Sequence, residues 1–420
     1  MISLRKTLAL ASVGAAMAVP AGAAGPHTGR PAGHWVTSWS ASQQGLSGST
    51  LTDQSVRTIT HLSQGGSALR IRVQNQFGST ALAVDAATVG LSTGTDAAVV
   101  DGTLRRLTFG GRPAVTVAPG ADVWSDAVPL TTRAQQDVAV SLYVPGSVRP
   151  GEHGAAFRTN YVSPAGSGNH VADRAATAFT RTITSTWLVS AVDVRNPDVA
   201  GTIVTYGSSV VDGEGSTNCG PGCSRTGTNE RWSDVLARRI VAEAPAGHQL
   251  AVANAGINGT MSATGCPNAS AGVAGLEGVT RLDRDVLALH GVKGVIVYYG
   301  TNDLAAGCTA EQIIDSWKTI FGRLHAAGIK AFLVPTTARP GYTDQMNRYR
   351  WDLGTYAATF NTCAGDCAGL ILFDQVIKDP VRPNAINPAY DVGDGIHVNI
   401  AAQQAEAQII SLPMLYSGVS

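Results

Sequence analysis

Four short segments carry side chains of the kind that nucleophilic chemistry draws on. They are Gly207-Ser208-Ser209-Val-Val-Asp212-Gly213, Asn254-Ala-Gly256-Ile-Asn258-Gly259, Gly300-Thr301-Asn302-Asp303 and Asp394-Gly-Ile-His397. Hydroxyls, amides and an imidazole three residues from a carboxylate are the groups from which acyl chemistry through a serine is assembled. Singly, each segment is weak evidence. Glycine and asparagine after an apolar run are ordinary turn residues, and a lone histidine is more often structural than reactive.

The elements around these segments give them more weight. Thr202-Ile-Val-Thr-Tyr206, Leu250-Ala-Val-Ala253 and Val292-Lys-Gly-Val-Ile-Val-Tyr-Tyr299 read as buried strands, each ending just before one of the first three segments. Lys330-Ala-Phe-Leu-Val334 and Leu370-Ile-Leu-Phe373 supply two more. Helical periodicity lies between them, over Trp232 to Ala244 and Val279 to Leu289. The helix after Cys308 is the best marked: Thr309 and Gln312 form a capping-box pair, and Ile313, Trp317, Ile320, Phe321 and Leu324 define one face. Strand and helix in alternation predict a parallel sheet with helices on both sides and functional groups at the carboxyl ends of its strands. The fourth segment stands just before a last helix.

From about His34 to about Asn196 the pattern differs. Within Ala68 to Phe77, Leu69, Ile71 and Val73 alternate with Arg70, Arg72 and Gln74, which predicts one buried and one wet face. Asp137 to Val144 repeats the device, and short runs such as Ala114 to Val117 are separated by Gly and Pro too closely for helices. This predicts an all-β sandwich or jelly roll over 34–196, followed by an α/β domain over 200–415. A chain of 420 residues is also long for a single hydrophobic core.

Composition narrows the function classes. The 30 Lys+Arg balance 30 Asp+Glu, and charged residues make up 14%, so the basic footprint of a nucleic-acid binder is missing and no such partner is expected. Arg5 and Lys6 precede an apolar run from Thr7 to Val19, followed by the small residues Pro20-Ala21-Gly22-Ala23. This is the pattern of a secretory signal, residues 1–23, cleaved after Ala23. The run is shorter than the ~20 residues that span a bilayer and no later stretch qualifies, so the mature chain is expected to be extracellular, without an integral membrane segment. A monomer is expected.

Export accounts for the cysteines. All six, Cys219, Cys223, Cys266, Cys308, Cys363 and Cys367, lie in the second half, and an even count in an exported protein favours disulfides. Nearest-neighbour pairing is expected, Cys219 with Cys223, Cys266 with Cys308 and Cys363 with Cys367, because the short CGPGC and CAGDC segments can close on themselves. Zinc is the weaker reading, since the close pairs lack the further Cys or His spacing of structural zinc modules.

In this order and strand context the four segments resemble the GDSL, or SGNH, family of esterases and lipases, over roughly residues 200 to 412. His34-Trp35-Val-Thr-Ser-Trp39 also looks similar to the opening of the β-domain that many exported members carry. The resemblance implies a flavodoxin-like three-layer catalytic domain with a parallel sheet, and a serine esterase that needs no cofactor and no metal. It implies Ser209 as nucleophile, His397 as base and Asp394 as the carboxylate that orients it. It also implies an oxyanion hole made by the Ser209 and Gly259 N–H groups and the Asn302 amide. Substrates would be small-molecule or polysaccharide esters. One departure stands out: Ser208 occupies the place where the family's first block usually has Asp, which removes a charge and sets a second hydroxyl beside the first.

Other residues have plainer readings. Asp212 and Asp303 are expected to fix loops by hydrogen bonding. His61, His153, His170, His248 and His290 show no paired ligand spacing, and His325 sits near a helix carboxyl end. No His-Glu-x-x-His, P-loop or Gly-x-Gly-x-x-Gly context is present. Trp35, Trp39 and Trp124 suit core packing better than a sugar-stacking surface, and Trp232 is expected to pack the helix after Ser209. The loops Asn218 to Asn229 and Ala263 to Gly278 are expected to shape the substrate pocket. Two alternatives keep other classes open: a carbohydrate- or envelope-binding protein with a degenerate hydrolase domain, and an acyltransferase using the same site.

Overall fold

In a computed structural model describing residues 34–417, alternating apolar residues build two main antiparallel sheets and two smaller ones before the chain turns to parallel strands. The expected signal segment lies outside the described residues. The main strands of the first part are β1 (Trp35–Ser40), β2 (Leu51–His61), β3 (Ala68–Gln74), β4 (Ala86–Leu91), β5 (Asp137–Val148), β6 (Gly151–His153), β7 (Asn160–Val162) and β8 (Val189–Arg195). One sheet runs β1-β8-β3 and the other β7-β2-β5-β4. Their facing sides share one apolar core. Leu69, Ile71 and Val73 on β3 meet Val138, Val140 and Leu142 on β5, so the alternation places these side chains between the layers of a β-sandwich.

The opposite face of β3 is not wet. Arg72 and Gln74 are buried there, and Arg70 is half-buried. Arg70 Nε donates to Asp193 at 2.8 Å and its guanidinium lies between the rings of Trp35 and Trp124, 4.6 and 5.1 Å from their centroids. Arg72 pairs with Asp122 and donates to the Arg284 carbonyl at 3.0 Å. The polar face is covered by the rest of the chain, and its two arginines are satisfied by ion pairs and a carbonyl, whereas the Gln74 side-chain amide has no partner among the described residues. Trp35 and Trp124 are thereby engaged in packing, with Trp124 also edge-on to His290.

The second part holds β9 (Val199–Gly207), β10 (Gln249–Gly256), β11 (Val292–Tyr298), β12 (Lys330–Leu333) and β13 (Gly369–Leu370). They pair in the order β10-β9-β11-β12-β13, every pair parallel. The last strand is shorter than its apolar run suggested, because Phe373 already leads into the helical turn Asp374–Ile377. The longer helices are α2 (Trp232–Glu243), α5 (Ala310–Ala326), α6 (Asp344–Ala358) and α7 (Ile400–Gln408). The shorter ones are α1 (Ser209–Asp212), α3 (Gly278–Leu282) and α4 (Thr301–Ala305). Helices α3, α5 and α6 pack one face of the sheet through Leu282, Trp317, Phe321 and Leu353, while α2 and α7 cover the other through Leu236, Ile240 and Ala407. This is the expected three-layer arrangement.

In α5 the capping box forms, with Gln312 N donating to Thr309 Oγ1 and Thr309 N donating to Gln312 Oε1 at 2.9 Å. The predicted helix over 279–289 breaks after α3 into a wide π turn, Asp283–Leu287, where Asp285 is drawn toward Arg281 and Arg284.

Sandwich and α/β part are hydrogen bonded along a seam. Ser40 Oγ donates to the Asn254 carbonyl at 2.7 Å, Thr37 N to the His290 carbonyl at 3.0 Å, and Val252 N to Ser63 Oγ at 2.9 Å. Cys219 is bonded to Cys223, Cys266 to Cys308 and Cys363 to Cys367. Among the described residues no helix is long and apolar enough to cross a membrane.

Candidate active site

In the sheet order the winding reverses beside β9, so the carboxyl end of β9 lies at the switch point where open α/β sheets form their binding crevice. Gly207 closes β9 and is paired with Gly256 of β10 on one side and Tyr298 of β11 on the other. The first three sequence segments therefore leave the sheet side by side. Ser209 opens α1 directly after this point and is largely buried. A Cβ on Gly207 would lie 2.3 Å from the Tyr298 carbonyl oxygen, and one on Gly256 would lie 2.2 Å from Asp212 N. Hydrogen in place of a side chain lets α1 sit down on the strand ends.

His397 reaches this turn from the fourth segment. Its Nε2 is 2.7 Å from Ser209 Oγ and its Nδ1 is 2.6 Å from Asp394 Oδ2. Asp394 Oδ1 in turn accepts from the backbone N–H groups of Ile396 and His397, at 2.8 and 2.9 Å. The carboxylate therefore fixes both the loop and the ring. Partial burial pushes the Asp394 carboxyl up, but the hydrogen bonds from His397 and Ile396 outweigh it and hold the carboxyl below its ordinary value. Ser208 takes no part in this chain: its hydroxyl is buried without a partner among the described residues. His397 meets the second of the two adjacent serines.

The second and third segments are tied to the first and to each other. Asn258 Nδ2 donates to Glu214 at 3.1 Å, and Asn302 Nδ2 donates to the Thr260 carbonyl at 3.0 Å. An amide NH₂ has two hydrogens, so Asn302 keeps one for another acceptor. The N–H groups of Ser209 and Gly259 donate to no backbone carbonyl among the described residues. Gly259 has φ +77°, and a Cβ there would meet nothing nearer than Val273 at 3.7 Å, so glycine is required by the left-handed backbone and not by crowding.

Asp303 fixes loops as expected. It accepts from Ser262 N and Oγ, both at 2.8 Å, from Ala263 N at 2.9 Å and from Gly300 N at 3.1 Å. Burial pushes its carboxyl upward in spite of these donors. Asp212 differs from expectation. Its side chain does not serve its own loop but meets His153 of the sandwich at 3.0 Å. Trp232 supports α1 by donating from Nε1 to the Val210 carbonyl at 2.9 Å.

Sequence reasoning passed over Arg281. Its guanidinium is buried beneath the strand ends with every donor engaged. Nε meets the Leu276 carbonyl at 3.1 Å, Nη1 the Ala255 carbonyl at 2.8 Å and Asp285 at 2.9 Å, and Nη2 the Gly207 carbonyl at 2.8 Å and the Tyr299 hydroxyl at 2.6 Å. Its one local signal is the Arg281–Asp285 spacing of four within a helical pattern. Glu406 was also passed over. It lines a small cavity with His397, Tyr298 and Gln403, and burial alone pushes its carboxyl well above the ordinary range.

Residues 205–405 match the family described as GDSL-like lipase/acylhydrolase. No curated protein matches the chain. Solved structures to which it is similar include Est24, a carbohydrate acetylesterase from Sinorhizobium meliloti, at 17% identity over 52% of this chain and 99% of that one, with a TM-score of 0.39. Two others are the lipase/acylhydrolase from Enterococcus faecalis and the psychrotrophic esterase EstA from Pseudoalteromonas sp. Each is 18% identical over 52% of this chain and 96% of its own, with a TM-score of 0.37.

Proposed function

Since residues 205–405 of this chain belong to the GDSL-like lipase/acylhydrolase family, we propose that it is a serine esterase that cleaves carboxylic esters through an acyl-enzyme. The observation that carries this reading is the unbroken chain Ser209 Oγ, His397 Nε2, His397 Nδ1, Asp394 Oδ2, with contacts of 2.7 and 2.6 Å. His397 Nε2 takes the Ser209 proton as Oγ bonds to the ester carbonyl carbon, and Asp394 holds the ring in the tautomer with Nδ1 protonated and stabilises the imidazolium. The Ser209 and Gly259 N–H groups and the free amide hydrogen of Asn302 receive the charge that develops on the carbonyl oxygen. When the tetrahedral adduct collapses, the C–O bond to the alcohol breaks and His397 returns the proton to the leaving alkoxide. Water then enters, is deprotonated by His397, and releases the acid and Ser209.

Ser209→Ala should abolish turnover of short-chain acyl esters and labelling by a fluorophosphonate, while Ser208→Ala keeps both. Activity surviving in Ser209→Ala would refute the mechanism. In the same reading residues 34–196 form a dedicated domain serving residues 200–415, and the chain is exported. The three disulfides support export, since such bonds persist in oxidising compartments. Finding the protein outside the cell with its first 23 residues removed, by intact-mass measurement, tests that part.

A further inference from the structure

The sandwich reaches the nucleophile turn at one buried point. His153 on β6 and Asp212 at the end of α1 are 4% and 1% exposed, and His153 Nε2 lies 3.0 Å from Asp212 Oδ1. The other ring nitrogen, Nδ1, lies 2.8 Å from the Ser42 carbonyl oxygen, and Nε2 is also 3.2 Å from the Ala155 carbonyl oxygen. Both nitrogens thus face acceptors. A neutral ring would aim a lone pair at one of those carbonyls, so the arrangement suits an imidazolium with two donors. Asp212 Oδ2 has no partner among the described residues, which leaves His153 as the counter-charge that Asp212 depends on.

The same turn is held at its main chain. Asp212 N donates to the Ser208 carbonyl at 2.9 Å, and the Asp212 carbonyl accepts from Arg231 Nε at 2.6 Å. Arg231 Nη2 donates to the Ala156 carbonyl of the sandwich at 3.1 Å. Ser209 therefore stands on a single turn whose far end is fastened to the sandwich at side chain and backbone. We propose that His153 is a positioning residue for the Ser209 nucleophile, its imidazolium tying the nucleophile turn to the sandwich through the buried ion pair with Asp212.

The inference rests on the reading of Ser209 as nucleophile and deepens it by giving the sandwich a role in the reaction. The titratable and charged groups around the cavity at this point are Asp212, Arg231, Arg158, Asp234 and His61. Burial pushes the His153 pKa down, but the Asp212 charge, the hydrogen bond to it and the Ser42 carbonyl outweigh burial and the opposing Arg231, so the net shift is upward. A raised pKa means that the folded protein holds the imidazolium to higher pH than the unfolded chain does, and that the pair is lost as pH rises through the raised value.

His153→Gln removes the charge and keeps a donor. It should lower kcat for a short-chain acyl ester by about 100-fold, the scale of an ångström-sized misplacement, with KM within about twofold. Fluorophosphonate labelling of Ser209 should slow in parallel. The pair His153→Gln with Asp212→Asn removes both charges and leaves an amide to donate to an amide oxygen, so it should recover most of that loss. In the wild type kcat should fall at alkaline pH while the circular dichroism stays unchanged, and the double variant should lack this fall.

A His153→Gln protein that melts earlier but keeps wild-type kcat, labelling rate and pH profile would overturn the proposal. If that variant does not fold, a wild-type kcat that stays level until alkaline unfolding overturns it equally. A wild type that neither labels nor turns over esters would instead remove the esterase reading itself, and the inference with it.

Discussion

Replacing Gly256 by alanine should cripple the reaction through the position of Ser209 alone. A Cβ at Gly256 would lie 2.2 Å from Asp212 N, 2.5 Å from Asp212 Cα and 2.8 Å from the Val211 carbonyl carbon. All three are backbone atoms of α1, so no rotamer change relieves the contact. To reach ordinary van der Waals separation α1 must retreat by about 1 Å, and a displacement of that size at a nucleophile costs about 100-fold in rate. A shift of about 1 Å is enough to open the Ser209–His397 contact of 2.7 Å beyond hydrogen-bond range. We therefore expect Gly256→Ala to lose about 100-fold in kcat on a short-chain acyl ester. It should label more slowly with fluorophosphonate and lose about 1–3 kcal/mol of stability through overpacking.

Two comparisons isolate the cause. Gly259→Ala makes only an ordinary contact with Val273 and should suffer mainly the backbone strain of a left-handed residue, about 1–2 kcal/mol. Gly322→Ala, on the exposed side of α5 with nothing nearby, should stabilise by about 0.5–1 kcal/mol with full activity. The reasoning is refuted if Gly256→Ala is less stable yet keeps wild-type kcat and labelling rate.

Other outcomes follow from the same geometry. Asn302→Ala should lower kcat about 100- to 1000-fold with KM little changed, through the loss of one oxyanion donor, as steady-state kinetics will report. Removing Cys266–Cys308, which links residues 42 apart, should cost about 4 kcal/mol by the chain-entropy relation. Removing Cys219–Cys223, 4 apart, should cost about 2 kcal/mol, and chemical denaturation of the double alanine variants measures the difference. Glu406 has its carboxyl raised by burial, so the wild type is most favoured below the usual value of 4.5 and loses that contribution as pH rises through the raised one. Glu406→Gln should match the wild type in melting temperature near pH 4 and exceed it increasingly toward pH 8.

The parts of this molecule that were legible in the sequence are those whose cause is local. A run such as Val292 to Tyr299 is apolar because it is buried on both faces, and the turn after it is polar because the chain leaves the sheet there. Thr309 and Gln312 cap α5 through contacts three residues apart. The short cysteine pairs close loops of their own. The alternation of strands and helices follows from such local signals, whereas Ser209, Gly259, Asn302 and His397 stood out through the resemblance of the four segments, taken together, to a known family.

Contacts across the seam leave no such trace. Alternation along β3 reports which side chains are polar, and water and a partner surface are equally compatible with that. Arg72 is buried because Asp122 and the Arg284 carbonyl come from elsewhere in the chain. Arg281 has a local partner in Asp285, but the carbonyls it clamps belong to the ends of β9 and β10. His153 had no ligand-like spacing, since its partner is a single carboxylate 59 residues away. Arg72 and His153 share a property: each is a charged group whose burial makes sense only when the sandwich and the parallel sheet are assembled, since its partners include a group of the other part. A polar residue on an apparently exposed strand face is thus weak evidence of solvent when a second part of the chain of similar size has yet to be placed. In this protein one such residue, His153, fastens the sandwich to the turn that carries Ser209.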